Sequence, residues 1–311
     1  MYLRAAHAEL NIPALRHFIK QNPLGLFVTA VASPNFPTIQ CTHLPWLIDV
    51  QDETSETELG TLRGHMARAN PHAKALIEAV TAAAAGPRKS NSDSSVSDDR
   101  DGCLLTDEVS IMFTGPAHHY VTPKFYVETK PSTGKVVPTW NYSAVQVYGK
   151  ARIYCDSGRR GGDGGGGGGG SGTVGDDDPK TSTATTTTTT TTSSFLQKQI
   201  SDLSDHAETN FVMGNATTTT GRKNKPWSVD DAPERYVEIL KKNIIGIEVQ
   251  ITRLEGKYKM SQELVEGDRE GVIKGFEAMG TDEALTIART VEERGRLKDD
   301  KAQAAKANAA A

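Results

Sequence analysis

A long period-two run at residues 143–155, SAVQVYGKARIYC, constrains the fold more than any other feature of this chain. Successive side chains of a β-strand point to opposite faces, so such alternation predicts a strand with one buried face. The buried face takes Val145, Val147, Ala151, Ile153 and Cys155, and the other face takes Gln146, Tyr148, Lys150, Arg152 and Tyr154. We predict a strand over 144–155, with Thr139, Trp140 and Asn141 at its entrance.

Several other segments have the composition of strands. They are 23–32, 38–50, 59–67, two short strands within 109–123 divided by Gly115-Pro116, and 243–261, a long strand with a hairpin continuation. Helical periodicity marks 10–21 (capped by Asn11), 71–85, 195–210, 232–243 (capped by Asp230-Asp231) and the tail 268–311. Neighbouring strands with helices at the margins predict a mainly β, antiparallel barrel.

Three segments interrupt this pattern: 86–102, 157–194 and 212–225. The second contains seven consecutive glycines and eight consecutive threonines. Such segments bury too little apolar surface to offset the entropy of ordering, so we predict disordered insertions. What remains suits one β-rich domain over 1–262 and a helical extension over 263–311.

Composition narrows the class of protein. The net charge is −4 and no Lys/Arg-rich block occurs, so direct binding to nucleic acid is not expected. Cys41, Cys103 and Cys155 are odd in number and widely spaced, which favours reduced thiols over disulfides or a zinc site. Neither a signal peptide nor a membrane span is recognisable, so we expect an intracellular protein, cytoplasmic or nuclear.

The stretch GTLRGHMARANP, residues 60–71, groups cations near a helix start. Strand alternation places Arg63 and His65 on one face, Arg68 follows, and Asn70-Pro71 is a good helix beginning. Free N–H groups of that helix and the three basic side chains would make a phosphate cradle. A solvated strand face leading into a helix fits the same residues, and this stretch alone does not separate the two.

A second cationic stretch is KYKMSQ, residues 257–262. Lys257, Lys259 and Ser261 share one face, opposite Tyr258 and Met260. A lysine pair of this kind often guards a sheet edge against aggregation, and it could also complete an anion site.

Two further motifs carry no site. His118 and His119 are adjacent, so they point to opposite faces and no metal site is predicted. The glycine run lacks the Lys-Ser/Thr ending of a phosphate-binding loop.

Taken together, these motifs resemble the PaiB-type FMN-binding negative transcriptional regulators. The resemblance is carried by MYLRAAH, FIKQNPLGLFVT, THLPWLID, GTLRGHMARANP, SIMFTGPAHHYVTPKFY, KVVPTWNYSAVQVYGKARI and PWSVDDAPERYVEILKKNIIGIEVQITRLEGKYKMSQ. It implies a flavin-binding split β-barrel, related in architecture to pyridoxamine-phosphate oxidases and flavin reductases. It also implies a homodimer with FMN bound at the subunit interface.

The resemblance also assigns expected roles to residues. Thr139, Trp140 and Asn141 would lie beside the isoalloxazine ring, and Arg63, His65 and Arg68 would hold the ribityl phosphate. The full expected set of FMN-binding residues is Arg63, His65, Arg68, Asn70, Thr139, Trp140, Asn141, Lys257, Lys259, Ser261 and Gln262. On this view Arg63→Ala should weaken binding of FMN far more than binding of riboflavin, which lacks the phosphate.

Three functions stay open on the sequence. One is a regulator whose flavin-dependent state is read by a partner. Another is an FMN-dependent oxidoreductase, like pyridoxamine-phosphate oxidases, flavin reductases or haem-degrading relatives, although no acid/base pair stands out beyond His65 and His118-His119. The third is a structural dimer without cofactor, which the retained Arg63, Arg68 and lysines disfavour.

Overall fold

The computed structural model describes residues 1–85, 102–155, 191–213 and 225–310. The three predicted insertions therefore lie almost wholly outside the described residues. Their borders do not: Gly102 leads into a strand, and residues 191–194 begin a helix. The described residues thus include one residue of the first segment, four of the second and three of the third (212, 213 and 225).

In the described part of the chain, nine antiparallel strands form one connected sheet. They are β1 (Ala8–Glu9), β2 (Leu24–Ala30), β3 (Ile39–Pro45), β4 (Leu47–Asp49), β5 (Thr61–Ala67), β6 (Cys103–Thr114), β7 (His119–Val121), β8 (Thr139–Tyr154) and β9 (Ile244–Lys259). The strand order is β3-β2-β6-β8-β9-β5-β4, with β1 paired to β9 and β7 paired to β8. The predicted mainly β, antiparallel fold is confirmed.

The sheet curls into a barrel that is not closed by hydrogen bonds. Its path ends at β3 on one side and at β4 on the other, and within the described residues these two strands do not pair. Yet Trp46 alone separates β3 from β4 along the chain, so both ends of the sheet must lie beside each other. An open seam with adjoining edges is the geometry of a split barrel.

Trp46 also explains one wrong prediction. Residues 38–50 were predicted as a single strand, but they form two strands at opposite ends of the sheet path. The indole is 1% exposed, and its ring lies 5.5 Å from the ring of Phe27. Burying this large ring in the core turns the chain from one edge to the other, which alternation alone does not reveal.

Other strand bounds differ from the predictions. β6 begins at Cys103, before its predicted start at 109, and β8 begins at Thr139, so Trp140 lies within the strand. The hairpin continuation predicted within 243–261 is absent, since β9 is one continuous strand. A register shift opposite Tyr148/Gly149 leaves Thr252 as a bulge. Because an extra residue reverses which face later side chains take, Lys257 and Lys259 lie on the outer face.

The main core fills the inside of the barrel. It combines Val145, Val147, Ala151 and Ile153 of β8 with Ile245, Ile247, Val249 and Ile251 of β9, as alternation predicted. Two helices close it: α1 (Ile12–Gln21), whose cap Asn11 accepts from the Ala14 amide, and α2 (Pro71–Ala85). Both helices were predicted, including the cap at Asn11.

Helices also cover part of the outer face. α4 (Thr192–Ala207) stacks Phe195 on Tyr154 of β8, with ring centroids 4.0 Å apart. α5 (Glu234–Lys242) follows a 3₁₀ turn at Val229–Asp231. Asp230-Asp231 therefore do not cap α5 as predicted, since Asp231 instead accepts from the Ser228 amide within that turn. A short α3 (Thr129–Thr133) precedes β8.

The C-terminal region forms a helical hairpin. α6 (Glu266–Met279) and α7 (Asp282–Ala310) are separated by Gly280, whose φ of 69° ends α6 in the left-handed conformation. Their apolar faces make a second core with Val121, Tyr126 and Met260, which belong to or follow the sheet. The described helices include no segment that is both long and apolar enough to cross a membrane.

Candidate functional site

Arg63 is not a solvated strand residue, because its side chain is only 6% exposed. It forms ion pairs with Asp49 on β4 and with Asp202 on α4, the latter at 2.7 Å. Its third nitrogen donates to Gln199 Oε1 at 3.2 Å. Burial opposes the charged form, but the two carboxylates prevail and raise the pKa of Arg63. The guanidinium thus fastens α4 to the sheet, and a phosphate would have to compete with two carboxylates for it.

The neighbours of Arg63 are arranged less favourably for an anion than the sequence indicated. Burial lowers the pKa of His65, which favours the neutral imidazole. Asn70 accepts from the His72 amide at 2.9 Å, so it caps α2 as predicted and uses one N–H of the expected cradle. Within the described chain, His65 Nδ1 and Arg68 Nε are buried without hydrogen-bond partners. His65 and Arg68 can therefore still form hydrogen bonds to a ligand. The guanidinium of Arg63, the strongest donor of the group, is already paired with Asp49 and Asp202.

The second group of predicted residues lies where the ends of β8 and β9 pair. Lys257 is 8% exposed, and its Nζ lies 5.3 Å from the ring centroid of Tyr142. Lys259 donates to Thr139 Oγ1 and, at 3.0 Å, to the Trp140 carbonyl. Among the residues described, no carboxylate lies within 4.0 Å of either ammonium group. β1 and β8 flank Lys257 on both sides, so it does not guard a free sheet edge.

Positive charge is concentrated around Lys259. Burial lowers the pKa of its ammonium group, and Lys257 and Arg4 lower it further, against the opposing effect of Glu263. Like charges held together in partial burial repel one another, and an anion placed between them would relieve that repulsion. Arg4 and Tyr142 were not predicted as site residues, because only the tertiary fold brings them beside the lysines.

A ring-sized aromatic surface adjoins the lysines. Trp140 is 50% exposed and is flanked by His118, with ring centroids 6.1 Å apart, and by Tyr120, at 6.3 Å. Its Nε1 donates to His118 Nδ1 at 3.4 Å. Trp140 was predicted as a ring-binding residue, whereas His118 was considered only as a metal ligand or an acid/base group and was not expected beside the indole. β7 brings His118 and Tyr120 to the indole by pairing Tyr120 with Trp140.

Asn141, Ser261 and Gln262 support this end of the sheet from within. Asn141 and Ser261 are buried, and Asn141 Nδ2 donates to Ser261 Oγ at 3.0 Å. Ser261 has a φ of 59°, which is uncommon for a residue with a side chain. Gln262 accepts from the Met260 amide at 2.7 Å and fixes the turn that follows Lys259. These residues hold the site in shape, while the lysines and the indole face outward.

The two groups lie far apart in one chain. Arg63 pairs with Glu248 on β9, and Lys257 follows nine residues later on the same strand. At about 3.3 Å per residue, this places the groups roughly 30 Å apart along the strand. The predicted residues therefore divide into an Arg63 group (Arg63, His65, Arg68 and Asn70) and a Trp140–Lys257 group, which contains the other seven.

The Trp140–Lys257 group reaches the surface at Trp140, which is half exposed, while Lys257 lies largely buried behind it. Cavities of about 800 and 400 Å³ flank α1, and neither is lined by any predicted site residue. Next to the group, the outer face of β2, β3 and β6 presents apolar side chains, including Leu24 and Ile39, which are 61% and 67% exposed. No described helix covers this part of the sheet. A planar ligand on Trp140 would remain half open in a single subunit.

Comparison with known proteins identifies the family. A family model described as "Putative FMN-binding domain" matches residues 1–253. The chain belongs to this family. FMN is therefore its cofactor, in agreement with the resemblance drawn from the sequence. Lys257 and Lys259 have no carboxylate partner among the residues that the structure describes, so they suit the phosphate of such a group, and the exposed indole beside them suits its ring.

Relatives of the chain come from fungi and from a bacterium. The chain is 49% identical over 306 residues to an uncharacterized protein of Aspergillus fumigatus, covering 97% of this chain and 100% of that protein. A second uncharacterized protein, from Emericella nidulans, is also 49% identical over 303 residues, with the same coverage. A bacterial relative, protease synthase and sporulation protein PAI 2 of Bacillus subtilis, is 26% identical over 153 residues. That match covers 49% of this chain and 53% of that protein.

Solved structures resemble the fold only distantly. A conserved hypothetical protein, Rv2991 of Mycobacterium tuberculosis, has a TM-score of 0.39 at 10% identity, covering 86% of this chain and 95% of that one. The flavocytochrome Anf3 of Azotobacter vinelandii has a TM-score of 0.33 at 10% identity, covering 81% and 69%.

Proposed function

We propose that this protein is an FMN-binding regulator that holds its flavin at the Trp140–Lys257 group. The observation that carries this proposal is the pairing of an exposed indole with Lys257 and Lys259, which have no carboxylate partner among the described residues. An FMN molecule offers a planar ring for the indole and a dianionic phosphate for the lysines. Aromatic stacking and charge-assisted hydrogen bonds are the two interactions such a ligand needs.

The ring-binding part would be the surface made by Trp140, His118 and Tyr120. The half-exposed indole offers a flat apolar face, and neighbouring rings limit its motion. The phosphate-binding part would be Lys257 and Lys259, with Arg4 near enough to influence the pKa of Lys259. Arg63 is the other candidate for binding the phosphate. Its ion pairs with Asp49 and Asp202 make this less favourable, because the phosphate would have to replace them.

We further propose that the protein acts as a homodimer that buries the open side of the flavin. The bare apolar face of β2, β3 and β6 adjoins the site, since Met112 of β6 lies opposite Gln146, two residues from Ala144, the partner of Lys257. The strands 144–155 and 244–254 also have outer faces of mixed polar and apolar side chains, and these faces are the other candidate for such an interface. The helix α4 occupies part of that surface, because Phe195 stacks on Tyr154 there. The uncovered face of β2, β3 and β6 is therefore the better candidate for the dimer interface.

The regulatory role rests on the similarity to the PaiB-type proteins. Direct contact with nucleic acid is not expected, because the sequence has no Lys/Arg-rich block. A flavin-dependent state would be read by another protein. An FMN-dependent oxidoreductase is the second candidate, and the position of His118 favours it. This exposed imidazole lies beside Trp140 and could exchange protons next to a bound ring.

The visible spectrum of the purified protein tests FMN binding directly, since bound oxidised flavin gives a yellow two-band absorbance. Titration of the apoprotein with FMN and with riboflavin then locates the phosphate. We expect Lys257→Met to weaken FMN binding about tenfold or more, because a charge-assisted contact contributes about 1.5–3 kcal/mol. Riboflavin affinity should stay unchanged. Lys274→Met, which removes a lysine 74% exposed on α6, is the matched control.

Arg63→Ala completes the comparison. A loss of FMN affinity as large as that of Lys257→Met, with riboflavin spared, would place the phosphate at the Arg63 group. Equal FMN affinity of the wild type and Lys257→Met would contradict the proposed phosphate site. Failure of the wild-type protein to bind either flavin would overturn the proposed function itself.

A further inference from the structure

We propose that the α6–α7 hairpin supports the flavin site, because it holds His118 and Tyr120 in position beside Trp140. This inference rests on the proposed function. The family model matches residues 1–253, so the hairpin lies outside the matched region.

The first connection runs through hydrogen bonds. Glu283, in the first turn of α7, accepts from the His118 amide at 3.2 Å. His118 Nδ1 accepts in turn from Trp140 Nε1 at 3.4 Å. Because Nδ1 accepts, the neutral imidazole must carry its proton on Nε2. Three consecutive groups thus link the beginning of α7 to the indole.

The second connection runs through apolar packing. The His119 ring meets Phe276 of α6 edge-on, with centroids 5.4 Å apart, and Phe276 is fully buried. β7 has three residues and pairs only with β8 in the described sheet. So short a strand cannot fix its own position and depends on what packs behind it. The hairpin therefore sets the place of β7, and β7 sets Tyr120 and His118 against Trp140.

The lysine end of the site is anchored to the same core. Met260 is 2% exposed and packs among the residues of the hairpin core, between Lys259 and Ser261 in sequence. Both halves of the site are thus supported by α6–α7. A loosened hairpin contact at His118 should disturb the ring surface first, so it should weaken binding of FMN and of riboflavin by the same factor. A lysine variant instead discriminates between the two flavins.

Glu283→Ala tests this in the full-length protein. Asp282→Ala is the matched control, because it removes an acid from the same helical turn and no described side-chain contact joins Asp282 to β7. Loss of one hydrogen bond of about 1 kcal/mol should weaken both flavins about fivefold. Glu283→Gln retains an acceptor and should restore binding. The melting temperatures of all three variants should stay close to that of the wild type.

A second measurement needs no flavin. The indole N–H resonance of Trp140, assigned by its absence in Trp140→Phe, reports the contact with His118 directly. Glu283→Ala should shift that resonance, and Asp282→Ala should not. Unchanged affinities and an unchanged resonance in Glu283→Ala would overturn the inference. If wild-type protein binds no flavin, the proposed function fails, and the resonance still decides whether α7 holds the aromatic group.

Discussion

His72 shows how strongly a single buried residue depends on its partners. It is 1% exposed in the first turn of α2, and its ring stacks on Phe27 at 5.0 Å. Nε2 and Nδ1 each lie 2.9 Å from a threonine hydroxyl, of Thr29 and Thr42. Burial lowers the pKa of His72 to about 4, so the imidazole is neutral at physiological pH. Its sequence context gave no sign of this role.

We expect His72 to make the protein less stable in mild acid. Its folded-state pKa lies below the unfolded value of about 6.5, so only the unfolded chain binds a proton as the pH falls below 6.5. Above pH 6.5 His72 does not reduce the free energy of unfolding. As the pH falls from 6.5 towards 4, proton binding to the unfolded chain lowers that free energy by roughly 3 kcal/mol in all. Urea unfolding of the wild type and His72→Gln across this range measures it.

His17→Gln is the control for that measurement, since His17 is an exposed histidine on α1. The free energy of unfolding of His72→Gln should depend less on pH between 6.5 and 4 than that of the wild type. Burial also lowers the pKa of His65, so His65 likewise reduces the free energy of unfolding in acid. It is present in both the wild type and His72→Gln, so it does not affect the comparison. A variant with the full wild-type pH dependence would show that His72 is not the group responsible.

At the level of elements, α4 depends on a cap at the border of the glycine- and threonine-rich segment. Thr191 and Ser194 form a capping box, and Phe195 and Leu196 then pack on the outer face of the sheet. The sequence assigned 157–194 to an insertion, because a run of threonines resembles low-complexity sequence throughout. The last threonines instead begin a helix, since the buried residues after them require one.

Two deletions should therefore differ in stability. Removal of 157–190 should leave the melting temperature nearly unchanged, because the entropy of closing a loop grows slowly with its length. Removal of 157–194 also deletes the capping box and should cost about 1 kcal/mol more. Thermal unfolding of both proteins gives the comparison. A large loss of stability in the shorter deletion would show that the segment packs against the domain.

At the scale of the whole molecule, the proposed dimer explains why the site is open in one subunit. On the bare face, Leu26 of β2 lies opposite Met112 of β6 and His43 of β3. A stable interface buries about 800 Å² on each partner, with few charged groups at its centre. The Trp140–Lys257 group at the rim of this face would be covered by the partner subunit.

A charge at the centre of that face should separate the subunits. Leu26→Glu is expected to give monomers in sedimentation at micromolar concentration, where the wild type sediments as a dimer. Flavin affinity should fall with it. Ile239→Glu places the same charge on α5, where Ile239 is 50% exposed, and should leave the dimer intact. Sedimentation of the wild type as a monomer would contradict the proposed assembly.

The sequence by itself determined most of the elements. Alternation predicted the inward faces of β8 and β9, and Asn11 and Asn70 marked the starts of α1 and α2, because these signals act within a few residues. The motifs around Arg63 and Trp140 indicated an anion site and a site for a flat ring, and their resemblance to an FMN-binding family identified the cofactor, in agreement with the family model.

The tertiary structure decided how those elements are used. A bulge at Thr252 turned Lys257 and Lys259 outward, and two distant carboxylates, Asp49 and Asp202, engaged the guanidinium of Arg63. The C-terminal hairpin brought β7 and its aromatic side chains to Trp140. The residue type fixes the charge and shape of a side chain. Its partners depend on contacts between residues that are far apart in the chain. Which cations remain free for a phosphate is therefore settled only when the chain has folded.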